Sequence, residues 1–144
     1  MSEEWEEVII TVDSGAVDTV APPNVSTDLP IVPTEASISG PYYKAANDTN
    51  ISIHGKKRLK GVTAGGTPIA IDTKVVDVKK MLGSVRQMCG SGNRVVFDEE
   101  GRFMENKRTG KITAIKQEGG AYIMRMWMPR KEERQGDFQR LARN

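Results

Sequence analysis

The chain has 144 residues, a net charge of +2, 28% charged residues and 38% hydrophobic residues, which is the composition of an ordinary globular domain. This length is enough for one domain with its own core, and no apolar run approaches the roughly 20 residues that span a bilayer. The acidic start lacks the basic flank and apolar stretch of a signal peptide, so we expect an intracellular, cytoplasmic protein without membrane partners. Cys89 and His54 are the only residues of their kinds, which excludes an internal disulfide and disfavours zinc sites and catalytic triads. We expect neither a metal nor another cofactor.

The first third of the chain predicts strands on both sides of a long irregular segment. The β-branched run from Val8 to Val12 predicts a buried strand, and Asp13-Ser14-Gly15 directly after it predicts a tight turn. From Ala21 to Pro41 the chain contains five prolines, which favours a loop or an irregular strand. The segment from Tyr42 to Ile53 is typical of a hairpin with an Asn-Asp turn.

The middle of the chain predicts two more strands and the one helix. Strands are expected from Lys57 to Val62 and from Pro68 to Val78, on the two sides of the turn Ala64-Gly65-Gly66. Only Ser84 to Cys89 has helical character, and glycines follow it as they follow a helix C-terminus. The expected helix is therefore short, and the fold class is all-β.

The last third predicts a β-meander whose strands are separated by turns that contain glycine. Its four strands are Arg94 to Phe97, Arg102 to Glu105, Lys111 to Lys116 and Tyr122 to Trp127. Residues 129 to 144 are polar and mixed in charge, and we expect a mobile tail. One domain over residues 1 to 128 follows, with a core from about 8 to 98 and the meander, 99 to 128, as an extension.

The main chemical signal is an Asp-Ser-Gly triplet at the end of a predicted strand. The glycine lets the backbone turn tightly beneath the Asp13 carboxylate, and the Ser14 hydroxyl can form a hydrogen bond that fixes the loop. Alone, the triplet fits equally well an aspartate that caps a turn. Ala16 and Thr19-Val20 extend the pattern toward that of an aspartic protease active-site loop.

A second pattern lies further along, where the apolar pair Met81-Leu82 and Gly83 precede the predicted helix. Together with the Asp-Ser-Gly loop and the hairpin, this pattern resembles the retropepsin-like aspartic proteases of copia-type retrotransposon polyproteins. The later part of the chain continues the same order, with Val95-Val96-Phe97-Asp98, then Gly110 and then Tyr122. The similarity covers roughly Ile9 to Trp127, and it rests on the order of the motifs.

The resemblance implies a retropepsin-like acid-protease β-barrel with one short helix and an added C-terminal β-meander. Four groups of site residues follow from it: the catalytic Asp13; the active-site loop supports Ser14, Gly15 and Ala16; the flap tip Ala45, Ala46, Asn47 and Asp48, which contacts substrate; and Leu82 and Gly83 beneath the active site. Viral retropepsins also pair an acidic residue with an arginine at two positions where this chain has Val17 and Ser84, so that ion pair is missing here.

Peptide hydrolysis by this route needs two carboxylates that share one proton, one as base toward water and one as acid toward the carbonyl oxygen. The chain has no second Asp-Ser-Gly or Asp-Thr-Gly, so the resemblance implies a homodimer with two copies of Asp13 at its two-fold axis. The segments Val8 to Val12 and Arg94 to Phe97 are the strands expected at the interface. The expected function is an aspartic endopeptidase that processes a retroelement polyprotein, with an acidic to near-neutral pH optimum.

Two other functions stay open. A catalytically inactive module of the same fold, used for dimerisation or binding, would carry every one of these motifs. A nucleic-acid-associated structural domain would use the basic run from Lys56 to Lys60 and the tail, but the small net charge of +2 makes nucleic acid an unfavoured partner. Asn24, Asn47 and Asn50 begin Asn-x-Ser/Thr triplets, which would matter only in a secreted chain.

Overall fold

The computed structural model of the chain describes residues 4–39, 43–44 and 50–130. Within these ranges the chain forms strands and two short helices, in the order β1 (Trp5–Asp13), β2 (Val20–Ala21), α1 (Glu35–Ser39), β3 (Tyr43–Lys44), β4 (Asn50–Ile51), β5 (Ile53–Thr63), β6 (Pro68–Val76), β7 (Met81–Ser84), α2 (Val85–Gly90), β8 (Asn93–Phe97), β9 (Arg102–Asn106), β10 (Ile112–Ala114), β11 (Lys116–Glu118) and β12 (Ala121–Pro129). The fold is mostly β, as predicted.

The main sheet closes on itself through β1. This strand pairs antiparallel with β12 along one edge and parallel with β7 along the other, where Asp13 lies opposite Ser84. Because β12 also pairs with β5, the strands β1, β7, β2, β6, β5 and β12 form a closed ring, and β11 lies beside β12. The prediction that Val8 to Val12 offers an unpaired edge to a second chain is therefore wrong, since both edges of β1 are occupied within the chain.

The core lies inside this ring, and strand alternation explains its composition. Successive side chains of a strand point to opposite faces, so every second residue of a half-buried strand is apolar. Val8, Ile10 and Val12 of β1 are buried in this way. Met124, Met126 and Met128 of β12 are at most 1% exposed and meet them in one cluster with Leu59 of β5. Unbranched methionine side chains fill irregular gaps between strands of different tilt.

A second sheet, in the order β10-β9-β8, continues from α2 and packs against the core through Met104. The predicted meander is present only in its first part. The third predicted strand is interrupted at Ile115, whose side chain is only 3% exposed. As a result β10 pairs with β9, whereas β11 pairs with β12. The prediction of a C-terminal meander added to the core is wrong for its last strand, because β12 belongs to the closed ring.

The remaining predicted elements are present, but the strands β2 and β7 and the helix α1 were not predicted. The strands around Ala64-Gly65-Gly66 are β5 and β6, and the helix predicted from Ser84 to Cys89 is α2. Helix α1 was missed in the proline-rich segment, where Thr34 and Ser37 exchange side-chain hydrogen bonds with each other's backbone N–H at 3.1 Å and 2.8 Å. The tail was predicted from residue 129, but β12 runs to Pro129, and the Arg130 N–H donates to the Glu4 carbonyl oxygen at 3.1 Å. The rest of the predicted tail, from 131 onward, lies outside the described residues. No helix in the described part of the chain is long and apolar enough to cross a membrane.

Candidate active site

Asp13 is the last residue of β1, and the chain turns sharply directly after it. Its Oδ1 accepts a hydrogen bond of 2.8 Å from the Gly15 N–H, which draws the loop back under the carboxylate. The Ala16 N–H also points to the Asp13 carbonyl oxygen, at 3.4 Å. A Cβ at Gly15 would lie 3.4 Å from that Oδ1, which is an ordinary contact, so this hydrogen bond does not by itself require glycine.

The loop opens onto a cleft of about 560 Å³. Asp13 lies on its wall together with Gly15, Ala16 and Asp18. Its other walls are apolar, formed by Val17, Val20, Ile51, Val76, Val78 and Leu82. A cleft with apolar walls and carboxylates on one side suits a peptide segment that carries apolar side chains, because burial of such side chains is favourable while a carboxylate faces the backbone.

The loop is fastened to the first turn of α2 by Ser84. The Ser84 hydroxyl donates to the carbonyl oxygens of Ala16 and Val17 at 2.8 Å and 3.2 Å, and it accepts from the Gln87 N–H at 3.1 Å. The Ser84 N–H donates to the Thr19 hydroxyl at 3.0 Å. Ser84 is fully buried and caps the N-terminus of α2, so one side chain satisfies both the helix and the loop.

Gln87, in the same helical turn, holds the loop through two further side-chain hydrogen bonds. Its Oε1 accepts from the Thr19 N–H at 3.0 Å, and its Nε2 donates to the Asp72 carbonyl oxygen of β6 at 2.8 Å. The Lys74 N–H donates in turn to the Thr19 carbonyl oxygen at 3.0 Å. The loop is thereby fixed between α2 and β6.

Asp18 is a second carboxylate on the cleft wall, but it is engaged elsewhere. Its Oδ2 lies 2.8 Å from the Lys74 Nζ, and both side chains are partly exposed. This ion pair holds the Asp18 carboxylate toward β6, so Asp13 is the carboxylate of the cleft that has no lysine partner in the described part of the chain.

The structure brings four of the ten residues predicted for the site to one cleft. Asp13, Gly15, Ala16 and Leu82 line the same cleft. Gly83 is buried where β7 passes β1, and a Cβ there would lie 2.5 Å from Ile10 Cγ2 and 2.8 Å from Met88 Cε. The close packing of β7 against Ile10 and Met88 thus requires glycine at this position.

The predicted roles of Ser14 and of the flap tip are not tested by the structure. Ser14 is exposed, and within the described ranges its side chain makes no hydrogen bond, so its role as a loop lock stays a prediction. The base strands of the predicted flap pair as β3 and β4, and Ile51 of β4 reaches the cleft. The predicted tip, Ala45, Ala46, Asn47 and Asp48, lies outside the described residues.

Sequence reasoning named Thr19 only as part of the loop pattern, and it missed that Ser84 and Gln87 bind the loop to α2. Serine at a helix N-cap was a usable signal, since a helix was expected from Ser84 onward. Gln87 carried no such signal, because its two partners lie 68 and 15 residues away in the chain.

Two further findings bear on the chemistry of the site. No cluster of three or more His, Cys, Asp or Glu side chains that could hold a metal ion occurs in the described part of the chain. No protein-family model, curated protein or solved structure was found to match the chain.

Proposed function

We propose that the chain is one subunit of a homodimeric aspartic endopeptidase of the retropepsin-like type, and that it acts on peptide or polyprotein substrates in retroelement polyprotein processing. The observation that carries the proposal is the placement of Asp13: it ends a buried strand, its carboxylate is held by the Gly15 N–H, and it lines a cleft with apolar walls. This is the arrangement that a carboxylate needs if it is to work on a bound peptide.

The mechanism uses two copies of Asp13. One ionised carboxylate removes a proton from a water molecule as that water attacks the scissile carbonyl carbon, and the protonated carboxylate of the other copy donates to the carbonyl oxygen. Collapse of the tetrahedral intermediate then breaks the C–N bond with proton transfer to the leaving amine. Two carboxylates so close titrate as a pair, which favours catalysis from acidic to near-neutral pH.

Strand β8 is the element that we propose for the dimer contact. In the described part of the chain it pairs only with β9, so its other edge is free. Asp98 and Gly101 exchange two backbone hydrogen bonds at the end of this pair, of 3.1 Å and 3.2 Å. Since bonded and non-bonded positions alternate along an antiparallel pair, the N–H and C=O groups of Val95 and Phe97 point to the free edge. Such an edge readily accepts a strand from a second chain.

The proposal predicts that Asp13→Asn keeps the fold and lowers peptide cleavage by about a thousandfold or more. The purified protein is incubated with a mixture of varied peptides, with and without a statine-type inhibitor, and the products are read by mass spectrometry. Inhibitor-sensitive cleavage that disappears in Asp13→Asn is the expected result. Asp18→Asn is the matched control, because it removes the other carboxylate of the cleft and should leave detectable cleavage.

The competing function is a catalytically inactive dimerisation or binding module of the same fold. If this function is the correct one, the wild-type protein binds peptides and the inhibitor but cuts none of the peptides. Cleavage that persists in purified Asp13→Asn would instead show that the catalytic carboxylate lies elsewhere.

A further inference from the structure

We infer that Ser84 and Gln87 are positioning residues for Asp13, so that the first turn of α2 sets the place of the active-site loop through uncharged hydrogen bonds. The inference rests on the proposed function, because positioning has a meaning only if Asp13 takes part in a reaction. It concerns residues that touch neither the cleft carboxylate nor a substrate.

The geometry of Ser84 makes it a junction between the helix and the loop. Its hydroxyl has one proton, and that proton is shared between the carbonyl oxygens of Ala16 and Val17 at 2.8 Å and 3.2 Å. The same oxygen accepts from the Gln87 N–H at 3.1 Å. All of this takes place at a fully buried side chain, where no water can replace a lost partner.

Gln87 fixes the far end of the same loop. Its amide group bonds to the Thr19 N–H at 3.0 Å and to the Asp72 carbonyl oxygen at 2.8 Å, and so ties the loop to β6. Ser84 and Gln87 thus fix the loop at both ends, between Ala16 and Thr19. Asp13 itself lies opposite Ser84 in the parallel pair of β1 and β7, so the same serine is next to the catalytic residue in the sheet.

This fastening matters for the chemistry because a shared proton requires a defined separation of the two carboxylates. If the loop of either subunit is displaced, the carboxylates interact less strongly and their two proton-loss steps move closer together. The bell-shaped dependence of kcat on pH should then narrow. Displacement of about 1 Å also lowers the rate of a positioned reaction by up to roughly a hundredfold.

The experiment compares Ser84→Ala and Gln87→Leu with the wild type under conditions where the protein is dimeric. We expect kcat to fall roughly 10- to 100-fold in each variant, KM to change little, and the pH profile of kcat to narrow from both sides. Ser84→Thr keeps the hydroxyl and should restore the wild-type profile. If Ser84→Ala does not fold, Gln87→Leu carries the test alone, because it leaves the helix cap in place.

The matched control is Thr113→Val. Thr113 is a fully buried threonine whose hydroxyl bonds to that of Thr63 at 2.6 Å, in a part of the chain that does not line the cleft. Its loss should lower the melting temperature and leave the pH profile unchanged. An unchanged profile in Ser84→Ala and Gln87→Leu, with only the stability reduced, would overturn the inference.

A second measurement separates this inference from the proposed function. Amide hydrogen exchange of Gly15 to Thr19 reports the loop whether or not the protein cleaves peptides. Faster exchange in Gln87→Leu than in Thr113→Val supports the fastening even in a protein without peptidase activity, in which case only the proposed function fails. Equal exchange in the two variants would contradict the fastening itself.

Discussion

Lys57 is a buried charged residue near one carboxylate, that of Glu6. It is only 5% exposed, and its Nζ donates to the carbonyl oxygens of Val25 and Ser26 at 3.1 Å and 2.9 Å. Ser26 has a positive φ of 53°, and its N–H donates to Glu6 Oε2 at 3.0 Å. The lysine therefore holds the segment that follows β2, and its bond to Ser26 adds to the one that the same carbonyl oxygen accepts from the Leu29 N–H at 3.0 Å.

Burial lowers the pKa of Lys57 from its usual value of 10.5, and the nearby Glu6 carboxylate opposes this shift. In the window between the lowered pKa and 10.5 the unfolded chain binds more protons than the folded chain, so the contribution of Lys57 to stability rises with pH there. Below this window Lys57 is charged in both the folded and the unfolded chain, so the folded protein bears the full free-energy cost of burying the ammonium group. Relative to Lys57→Met, the wild-type protein should therefore gain free energy of unfolding as the pH rises through this window.

Denaturant unfolding of both proteins at several pH values up to 10.5 measures the difference. Lys79→Met serves as control, since it removes the same charge from an exposed side chain. A difference between wild type and Lys57→Met that is constant, or that shrinks as the pH rises, contradicts this account of the buried lysine.

At the scale of elements, local sequence patterns predicted where strands and turns lie but not which strands become neighbours. The run from Val8 to Val12 and the turn at Gly65-Gly66 have signals that act over a few residues, and both were predicted correctly. That β12 occupies the free side of β1 is a contact between residues more than a hundred positions apart, such as Val8 and Met126. No periodicity within either strand encodes it.

The same distinction applies to the candidate site. Asp13 and Gly15 could be identified because the motif is local, and the structure places both on one cleft. The role of Gln87 depends on how α2 lies against β6, which the fold as a whole decides. Ile115 shows the same limit: alternation correctly predicts that its side chain is buried, as that of Thr113 is, but not that the pairing partner changes there from β9 to β12.

The free edge of β8 gives a prediction at this scale. Phe97→Pro removes the backbone N–H that we infer to point outward, whereas Phe97→Ala removes only the ring, which contacts Tyr122 at a centroid distance of 5.3 Å. If β8 pairs with its counterpart in a second copy, Phe97→Pro should shift sedimentation toward the monomer at concentrations where Phe97→Ala still dimerises. Equal behaviour of the two variants would contradict a contact through this edge.

At the scale of the whole molecule, the proposal depends on assembly. The described part of the chain brings one aspartate of the Asp-Ser-Gly type to the cleft, and the other carboxylate there, Asp18, is paired with Lys74. A second copy of Asp13 is the simplest source of the missing carboxylate. Because association is governed by mass action, activity per chain should rise with protein concentration and then level off.

A mixing experiment tests this most directly. Wild-type protein is refolded together with increasing shares of Asp13→Asn at constant total concentration, so that subunits combine at random. If each catalytic centre needs Asp13 from both chains, activity follows the square of the wild-type fraction, and an equal mixture retains about a quarter of the full rate. Activity that stays proportional to the wild-type fraction, with about half of the rate in the equal mixture, would show that one chain alone carries out the reaction.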